Sequence, residues 1–288
     1  MKKHFFLLAI LFMAMVQTAY SRSKILTDTV FSKVLNDDRA YTVYLPPSFD
    51  QDAGRTYPVL YLLHGMSQTN LDWAGRGHLQ EVADRLIASG EAEEMVIIMP
   101  NAGGDIYKNI WNGYFDMPGW KYETFFYEEF LPHVEKMYRV KGDKRHRAVA
   151  GLSMGGGGAT AYGLWHSDKF SAVYAMSALM SIPKQGAARF ENPDDKLAIL
   201  TRSVIEHSCI DFVLQADEQT KAGLRTVAWF VDCGDDDFLL DRNIEFFQAM
   251  RNAGIPCQFR VRDGGHDWEY WHSALYKCLS FVSNAFNR

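Results

Sequence analysis

The 288-residue chain is 48% hydrophobic and 14% aromatic, which is enough for one large α/β core or at most two small domains. Its formal net charge of −5 is mild for this length, and no run of lysine and arginine occurs. Nucleic acid and anionic membrane surfaces are therefore not expected as partners.

The N-terminus has the pattern of a secretory signal peptide. Two lysines precede an apolar run over residues 5–16, and small residues follow at Ala19 and Ser21. The run is too short for an ordinary membrane span, and it contains no cysteine for a lipid anchor. We expect residues 1–21 to be removed by cleavage near Ser21, and the protein to be exported to the periplasm or secreted. A buried N-terminal helix is the alternative.

Apolar runs with strand character alternate with stretches of helical periodicity from residue 40 to the C-terminus. Because this order is typical of a mostly parallel sheet with helices on both faces, we predict one α/β domain over residues 22–288. Strands are predicted at 40–46, 57–63, 95–99, 170–175, 226–232 and 256–261, with a further strand leading into Ser153. Helices are predicted after Ser153, at about 77–89, at 122–138 with a kink or a late start because of Pro132, and at 270–286.

Two segments interrupt this order. Residues 105–121 form a long loop rich in aromatic side chains. Residues 181–223 are polar, contain two prolines and have helical stretches with no strand between them. We predict that the second segment is a helical insertion over one end of the sheet, where it forms a lid or a pocket wall.

The chemistry of the chain is organised around the sequence G-x-S-x-G at residues 151–155, which lies between an apolar strand and a helix. Such a turn holds the serine in a strained backbone conformation and exposes its hydroxyl above the sheet. The chain passes so closely on both sides that glycine is needed at 151 and 155. Ser153 is therefore the predicted nucleophile. The glycines at 155–158 also suggest a dinucleotide loop, but that interpretation leaves the serine unexplained and lacks a matching acidic residue.

A serine nucleophile needs a base, which is usually a histidine held by a carboxylate. Of the four histidines after Ser153, only His266 follows a predicted strand directly through a glycine-rich loop. Position therefore favours His266 as the base. The acid should follow the strand at 226–232, and position alone does not choose among Asp232, Asp235, Asp236, Asp237 and Asp241. A calcium loop is disfavoured there, because the alternating spacing of acidic ligands is absent.

Two backbone N–H groups are expected to stabilise the negative oxygen that forms when the serine attacks a carbonyl group. One is that of Met154, directly after the nucleophile. The other is that of Met66, in the loop that follows the strand at 57–63, although His64-Gly65 is also compatible with an ordinary turn. No metal ion or cofactor is needed for this chemistry.

The four cysteines, at positions 209, 233, 257 and 278, allow one or two disulfides in three pairings. No C-x-x-C motif occurs among them, and their wide spacing argues against a zinc site. Isolated cysteines on apolar segments are commonly just buried.

Four motifs together resemble the esterase D-like family of α/β-hydrolases, over nearly all of residues 35–285. They are LHGM at 63–66, AGLSMGG at 150–156, CG-x-x-DFL at 233–239 and GGHDWEYW at 264–271. The family includes feruloyl, acetyl and tributyrin esterases, S-formylglutathione hydrolases and mycolyltransferases. The resemblance implies the α/β-hydrolase fold and places the acid at Asp237, directly before Phe-Leu. Many family members have Thr and Glu where this chain has Asp235 and Asp236.

The resemblance and the export signal together imply an exported serine esterase acting on feruloyl or acetyl esters of plant polysaccharide. Trp73, Trp111 and Trp268 are candidates for stacking on a flat acyl group, and the alternative for each is a place in the core. A general short-chain acyl esterase, a mycolyltransferase-like acyltransferase and a non-catalytic carbohydrate-binding protein are the other interpretations. No oligomeric state is predicted.

Overall fold

The computed structural model describes residues 22–192 and 194–288. The proposed signal peptide at 1–21 lies outside the described residues. One sheet of eight strands has the order β1-β2-β4-β3-β7-β8-β9-β10. Its strands are β1 (Lys24–Ser32), β2 (Asp37–Leu45), β3 (Val59–Leu63), β4 (Val96–Pro100), β7 (Arg147–Leu152), β8 (Ala172–Met176), β9 (Ala228–Gly234) and β10 (Cys257–Arg262). A small hairpin is formed by β5 (Asp116–Met117) and β6 (Trp120–Lys121).

The sheet is parallel from β4 to β10, whereas β2 pairs antiparallel with both β1 and β4. The carboxyl ends of six parallel strands therefore meet at one edge, which is where ligands bind in open α/β sheets. The predicted mostly parallel sheet is confirmed. The antiparallel strand β1 was not predicted, because its side chains are mostly exposed and carry no clear apolar alternation.

The helices are α1 (Asp72–Gly75), α2 (Leu79–Ser89), α3 (Tyr122–Phe125), α4 (Leu131–Met137), α5 (Ser153–Trp165), α6 (Lys196–Glu206), α7 (Cys209–Gln215), α8 (Glu218–Leu224), α9 (Leu240–Asn252) and α10 (Trp268–Phe286). Short 3-10 turns occur at Ile106–Lys108, Lys144–His146 and Lys184–Arg189. A π-helical turn at Phe126–Phe130 joins α3 to α4. In the part of the chain that is described, no helix combines the length and the apolar character needed to cross a membrane.

Hydrophobic cores cover both faces of the sheet. In β3, Tyr61 and its alternate neighbours pack in one core, while Leu60 and Leu62 pack in the other. The first core includes side chains of α5 and α9, and the second includes side chains of α2 and α10. The uninterrupted apolar run at 57–63 reflects this burial from both sides.

The predicted kink near Pro132 is a change of helix type rather than a break. Pro132 is the second residue of α4, directly after the π-helical turn. Proline has no N–H to donate, and a π-turn changes the hydrogen-bonding register so that the chain stays helical.

The segment 181–223 is helical, as predicted, and contains α6 and α7 and most of α8. Helix α6 approaches the elbow, because Leu200 and Val204 border a small void together with Met154. Helix α7 packs on α5 and α9 instead. All four cysteines are free thiols, so the structure contains none of the possible disulfide pairings.

Candidate active site

The nucleophile elbow joins β7 to α5. Ser153 is the first residue of α5 and has a φ of 53°, which is the strained left-handed region for a residue other than glycine. A Cβ at Gly151 would lie 2.4 Å from the carbonyl oxygen of Gly155. A Cβ at Gly155 would lie 2.4 Å from the carbonyl oxygen of His64. Neither position accepts a side chain, which is the physical reason for both glycines.

A continuous chain of hydrogen bonds links three side chains at this edge of the sheet. Nε2 of His266 lies 2.9 Å from Oγ of Ser153, and Nδ1 of His266 lies 2.9 Å from Oδ2 of Asp237. Because a carboxylate only accepts, Nδ1 carries a proton and Nε2 is free to accept the serine hydroxyl. The structure thus brings together the three residues predicted as nucleophile, base and acid.

Burial and hydrogen-bond partners together distinguish Asp237 from its acidic neighbours. Asp235 and Asp236 are exposed, as is Asp241 in the first turn of α9. Asp232 is wholly buried, but it accepts hydrogen bonds from the hydroxyls of Tyr174 and Tyr270 and pairs with Arg260. Among the described aspartates, Asp237 is the one that contacts His266.

The surroundings of Asp237 keep it ionised. Burial acts to raise the pKa of its carboxyl, but hydrogen bonds from His266, Ser177 and the Leu239 N–H outweigh burial, and the pKa is lowered. The Leu239 N–H donates to Oδ1 at 2.8 Å, which leaves Oδ2 for the histidine.

Ser177 supports this arrangement and was not predicted. It is wholly buried, follows β8 directly and has a φ of 46°. Its Oγ accepts a hydrogen bond from Nε1 of Trp271 at 3.0 Å. The Trp271 ring also meets the His266 ring edge-on, with centroids 5.0 Å apart. Its place at the end of a parallel strand was the available signal, since the same rule identified His266.

The loop after β3 is held by its own first residue. Nδ1 of His64 donates to the carbonyl oxygen of Gly65 at 2.8 Å, and Nε2 accepts from the Ala102 N–H at 3.1 Å. Burial lowers the pKa of His64 to about 4, so the ring is neutral at ordinary pH. The Tyr114 hydroxyl donates to the His64 carbonyl oxygen at 2.9 Å, and the Gly65 N–H donates to Oε1 of Gln68 at 2.9 Å. This loop is therefore braced on several sides.

The two backbone groups predicted for the negative oxygen follow the ends of adjacent strands. Leu63 at the end of β3 is paired with Gly151 at the end of β7. Met66 lies in the loop after β3, and Met154 is the second residue of α5. An N–H in the first turn of a helix has no carbonyl group to pair with inside that helix. The Met154 N–H is therefore available to a ligand, and the part played by Met66 stays a prediction.

The three tryptophans have different environments. Trp73 is wholly buried and donates from Nε1 to the carbonyl oxygen of Leu63 at 3.0 Å. It has no surface free for a substrate, so the expected stacking role of Trp73 is wrong. Its ring supports Trp268 edge-on, with centroids 5.2 Å apart. Trp268 is half-buried, and Trp111 is partly exposed and donates to Asn109 at 2.8 Å.

One cluster of acidic groups in the described chain has carboxylates close enough together to approach a single cation. The ligand atoms of Asp235, Asp236 and Asp263 lie within 4.8 Å of one another. All three side chains are exposed, and Asp235 already accepts from the Gly264 N–H at 3.1 Å. We assign no metal role to this cluster.

Comparison with known proteins gives one family. A sequence model of the esterase family matches residues 32–282. A solved structure titled ferulic acid esterase is 72% identical, covers 92% of this chain and 99% of its own, and superposes with a TM-score of 0.89. The acetyl esterase of Caldicellulosiruptor saccharolyticus is 23% identical over 88% of this chain and 96% of its own length.

A second curated relative is the endo-1,4-beta-xylanase/feruloyl esterase of Xylanibacter ruminicola. It is 31% identical over 86% of this chain, which spans only 30% of that larger protein. The fold and the elbow define an α/β-hydrolase. More particularly, the chain belongs to the esterase family and is a carboxylic ester hydrolase.

Proposed function

We propose that this ester hydrolase works through Ser153, His266 and Asp237. The observation that carries the proposal is the unbroken chain of hydrogen bonds from Ser153 Oγ through His266 to Asp237, with both contacts at 2.9 Å. The strained conformation of Ser153 at the start of α5 supports the same assignment.

The reaction has two halves. Nε2 of His266 takes the hydroxyl proton as Ser153 Oγ attacks the ester carbonyl carbon, and the N–H groups of Met154 and Met66 stabilise the negative oxygen. When the C–O bond to the alcohol breaks, His266 gives its proton to the departing oxygen. Water then attacks the acyl-enzyme by the same route, which releases the acid and restores Ser153.

The substrate class is proposed from the relatives. Two of them carry names for feruloyl ester hydrolysis and one for acetyl ester hydrolysis, and one is also a xylanase. We therefore propose feruloyl or acetyl esters of plant polysaccharide as substrates, with feruloyl esters favoured by the 72% identity. The basic and apolar pattern of residues 1–21 supports export.

The nucleophile is tested with Ser153→Ala and His266→Ala. Each variant should lose nearly all turnover of p-nitrophenyl acetate while its melting temperature stays near that of the wild type. A fluorophosphonate probe should label the wild type at Ser153 and leave Ser153→Ala unlabelled. Full turnover in either variant contradicts the assignment.

The substrate is tested by comparing kcat/KM for methyl ferulate, acetylated xylan, p-nitrophenyl acetate and longer acyl esters. Added sugar acceptors reveal an acyltransferase, because transfer products then appear beside the free acid. Export is tested by N-terminal sequencing of the protein expressed with its own leader. A mature chain that still begins at Met1 contradicts cleavage near Ser21.

A further inference from the structure

A cleft of about 460 Å³, lined by both polar and apolar groups, opens beside the braced loop that follows β3. Its lining includes both charged and neutral hydrogen-bonding groups together with one aromatic ring. The lining residues used below are Arg39, Ser67, Thr69, Asn101, Asp105 and Tyr107.

The cleft shares a wall with the proposed oxyanion loop. Ser67 directly follows Met66, and it has a φ of 64°. The loop at 101–104 forms the opposite wall and is tied to the first by the hydrogen bond from the Ala102 N–H to His64. A Cβ at Gly103 would lie only 2.4 Å from the carbonyl oxygen of Gln68, so the two loops are in close contact. A group bound in the cleft therefore lies next to the ester-cleaving end of the sheet.

The hydrogen-bonding groups of the cleft are only partly used within the protein. Nη2 of Arg39 donates to the carbonyl oxygen of Asn101 at 2.8 Å, and Nη1 donates to Asp37 at 3.2 Å. Nε of Arg39 is buried and has no partner among the described residues. Because Nε is buried, a ligand in the cleft cannot reach it, and the guanidinium also lies 4.8 Å from the centre of the Trp120 ring. The N–H groups of Arg39 that remain for a ligand are the second ones on Nη1 and Nη2.

The side chain of Tyr107 is exposed to solvent and lies on an ordered turn. Its side chain is 97% exposed, which is unusual for a large aromatic ring. Oδ1 of Asp105 accepts from the Tyr107 N–H at 3.1 Å, and the Asp105 carbonyl oxygen accepts from the Ile110 N–H at 2.9 Å. Lys108 pairs with Asp105 at 3.1 Å. The ring is thus presented on an ordered turn, where one face can stack on a flat, partly apolar ligand.

A second crevice near the serine has the opposite character. It is lined by Met154, Leu179, Leu200, Phe115 and neighbouring glycines, and it encloses only about 10 Å³. A void of this size holds at most one water molecule and has no room for an acyl group, whereas the larger cleft with its hydrogen-bonding side chains has room for a group with many hydroxyls. Of the two, the cleft is the one large enough to hold part of a sugar ester.

We propose that the cleft between Arg39 and Tyr107 binds the saccharide part of the ester, a neutral sugar chain rich in hydroxyls. Tyr107 stacks on the apolar face of a sugar ring, and Arg39 and Asn101 supply hydrogen bonds to its oxygens. This inference rests on the proposed esterase activity toward saccharide esters. It adds to that activity a binding site for the saccharide, which is the alcohol part of the ester.

The test uses two substrates with the same acyl group, methyl ferulate and a feruloylated arabinoxylo-oligosaccharide. Tyr107→Ala should raise KM for the oligosaccharide ester about tenfold, with kcat for it and both constants for methyl ferulate unchanged. Tyr107→Phe keeps the ring and should stay within about twofold of the wild type. Leu214→Ala removes another exposed apolar side chain, on α7, and should change the constants for neither substrate.

Each other result overturns the inference. Equal losses on both substrates mean that Tyr107 affects the reaction centre rather than the sugar, and unchanged constants on both mean that the cleft binds no sugar. If the wild type hydrolyses methyl ferulate but gains nothing from the sugar chain, the saccharide site is wrong while the esterase stands. If the wild type hydrolyses no ester in the panel, the proposed function itself is wrong.

Discussion

Replacing Asp237 by asparagine separates the charge of the acid from its shape. Oδ2 of Asp237 lies 2.9 Å from Nδ1 of His266, and the aspartate side chain is fully buried. Asparagine keeps the volume but removes the charge, and its amide can donate to Nδ1. Donation places the histidine proton on Nε2, where it can no longer accept the proton of Ser153.

The separation of the two side chains gives the size of the charge interaction between Asp237 and protonated His266. Two unit charges at the 2.9 Å separation interact by about 6 kcal/mol at an effective dielectric constant of about 20. This interaction exists only when His266 is protonated, which happens as Ser153 attacks. Removing it alone would slow the reaction by about 10⁴-fold. Because the His266 side chain is 19% exposed, water screens part of the interaction, and we expect a loss of 10³- to 10⁴-fold.

The assay is kcat for p-nitrophenyl acetate, with the melting temperature measured on the same protein. Asp235→Asn and Asp236→Asn make the identical chemical change at exposed neighbouring positions and should keep nearly full activity. The reasoning is refuted if Asp237→Asn retains more than a tenth of the wild-type kcat. It is also refuted if either control variant loses as much.

Three further predictions concern the groups around the site. Ser177→Ala should lower kcat about tenfold at unchanged KM, because Ser177 helps to keep the pKa of Asp237 low; equal kcat rules this out. Tyr114→Phe should cost about 1–3 kcal/mol in urea unfolding, since the His64 carbonyl oxygen loses a buried donor. The pKa of His64 is about 4 in the folded protein and about 6.5 in the unfolded chain. Lowering the pH from 6.5 to 4 therefore reduces the free energy of unfolding by about 3 kcal/mol. In urea unfolding, the stability of His64→Gln should fall less than that of the wild type between pH 6.5 and pH 4.5. An equal fall in both proteins would contradict the prediction.

The sequence carried strong local signals for the sheet and for the three side chains at its edge. Continuous apolar runs marked β3 and β4, because strands covered on both faces have no polar side to break the run. Strand ends located Ser153 and His266, since the carboxyl ends of parallel strands meet at one edge. Among the aspartates after β9, spacing left several candidates, and it was the resemblance to a known family that selected Asp237.

Other features depend on contacts between distant parts of the chain. Ser177 and Trp271 are separated by 94 positions, and no local pattern announces their hydrogen bond. Trp73 was a sequence candidate for stacking on the substrate, but the core between β3 and α10 encloses it completely. Aromatic residues serve in cores and in binding sites alike, so composition could not separate these roles.

The sequence by itself determined the nucleophile elbow, because the two glycines, the serine and the flanking strand and helix are all local properties of residues 148–160. The physical reason that Asp237 meets His266 lies in the tertiary structure: Asp235 and Asp236 lie in solvent, and the buried Asp232 is paired with Arg260 and two tyrosines. It also decided where polar and apolar surfaces flank Ser153. The cleft at Arg39 and Tyr107 is assembled from β2 and from two loops that are distant in sequence, and only folding brings them together.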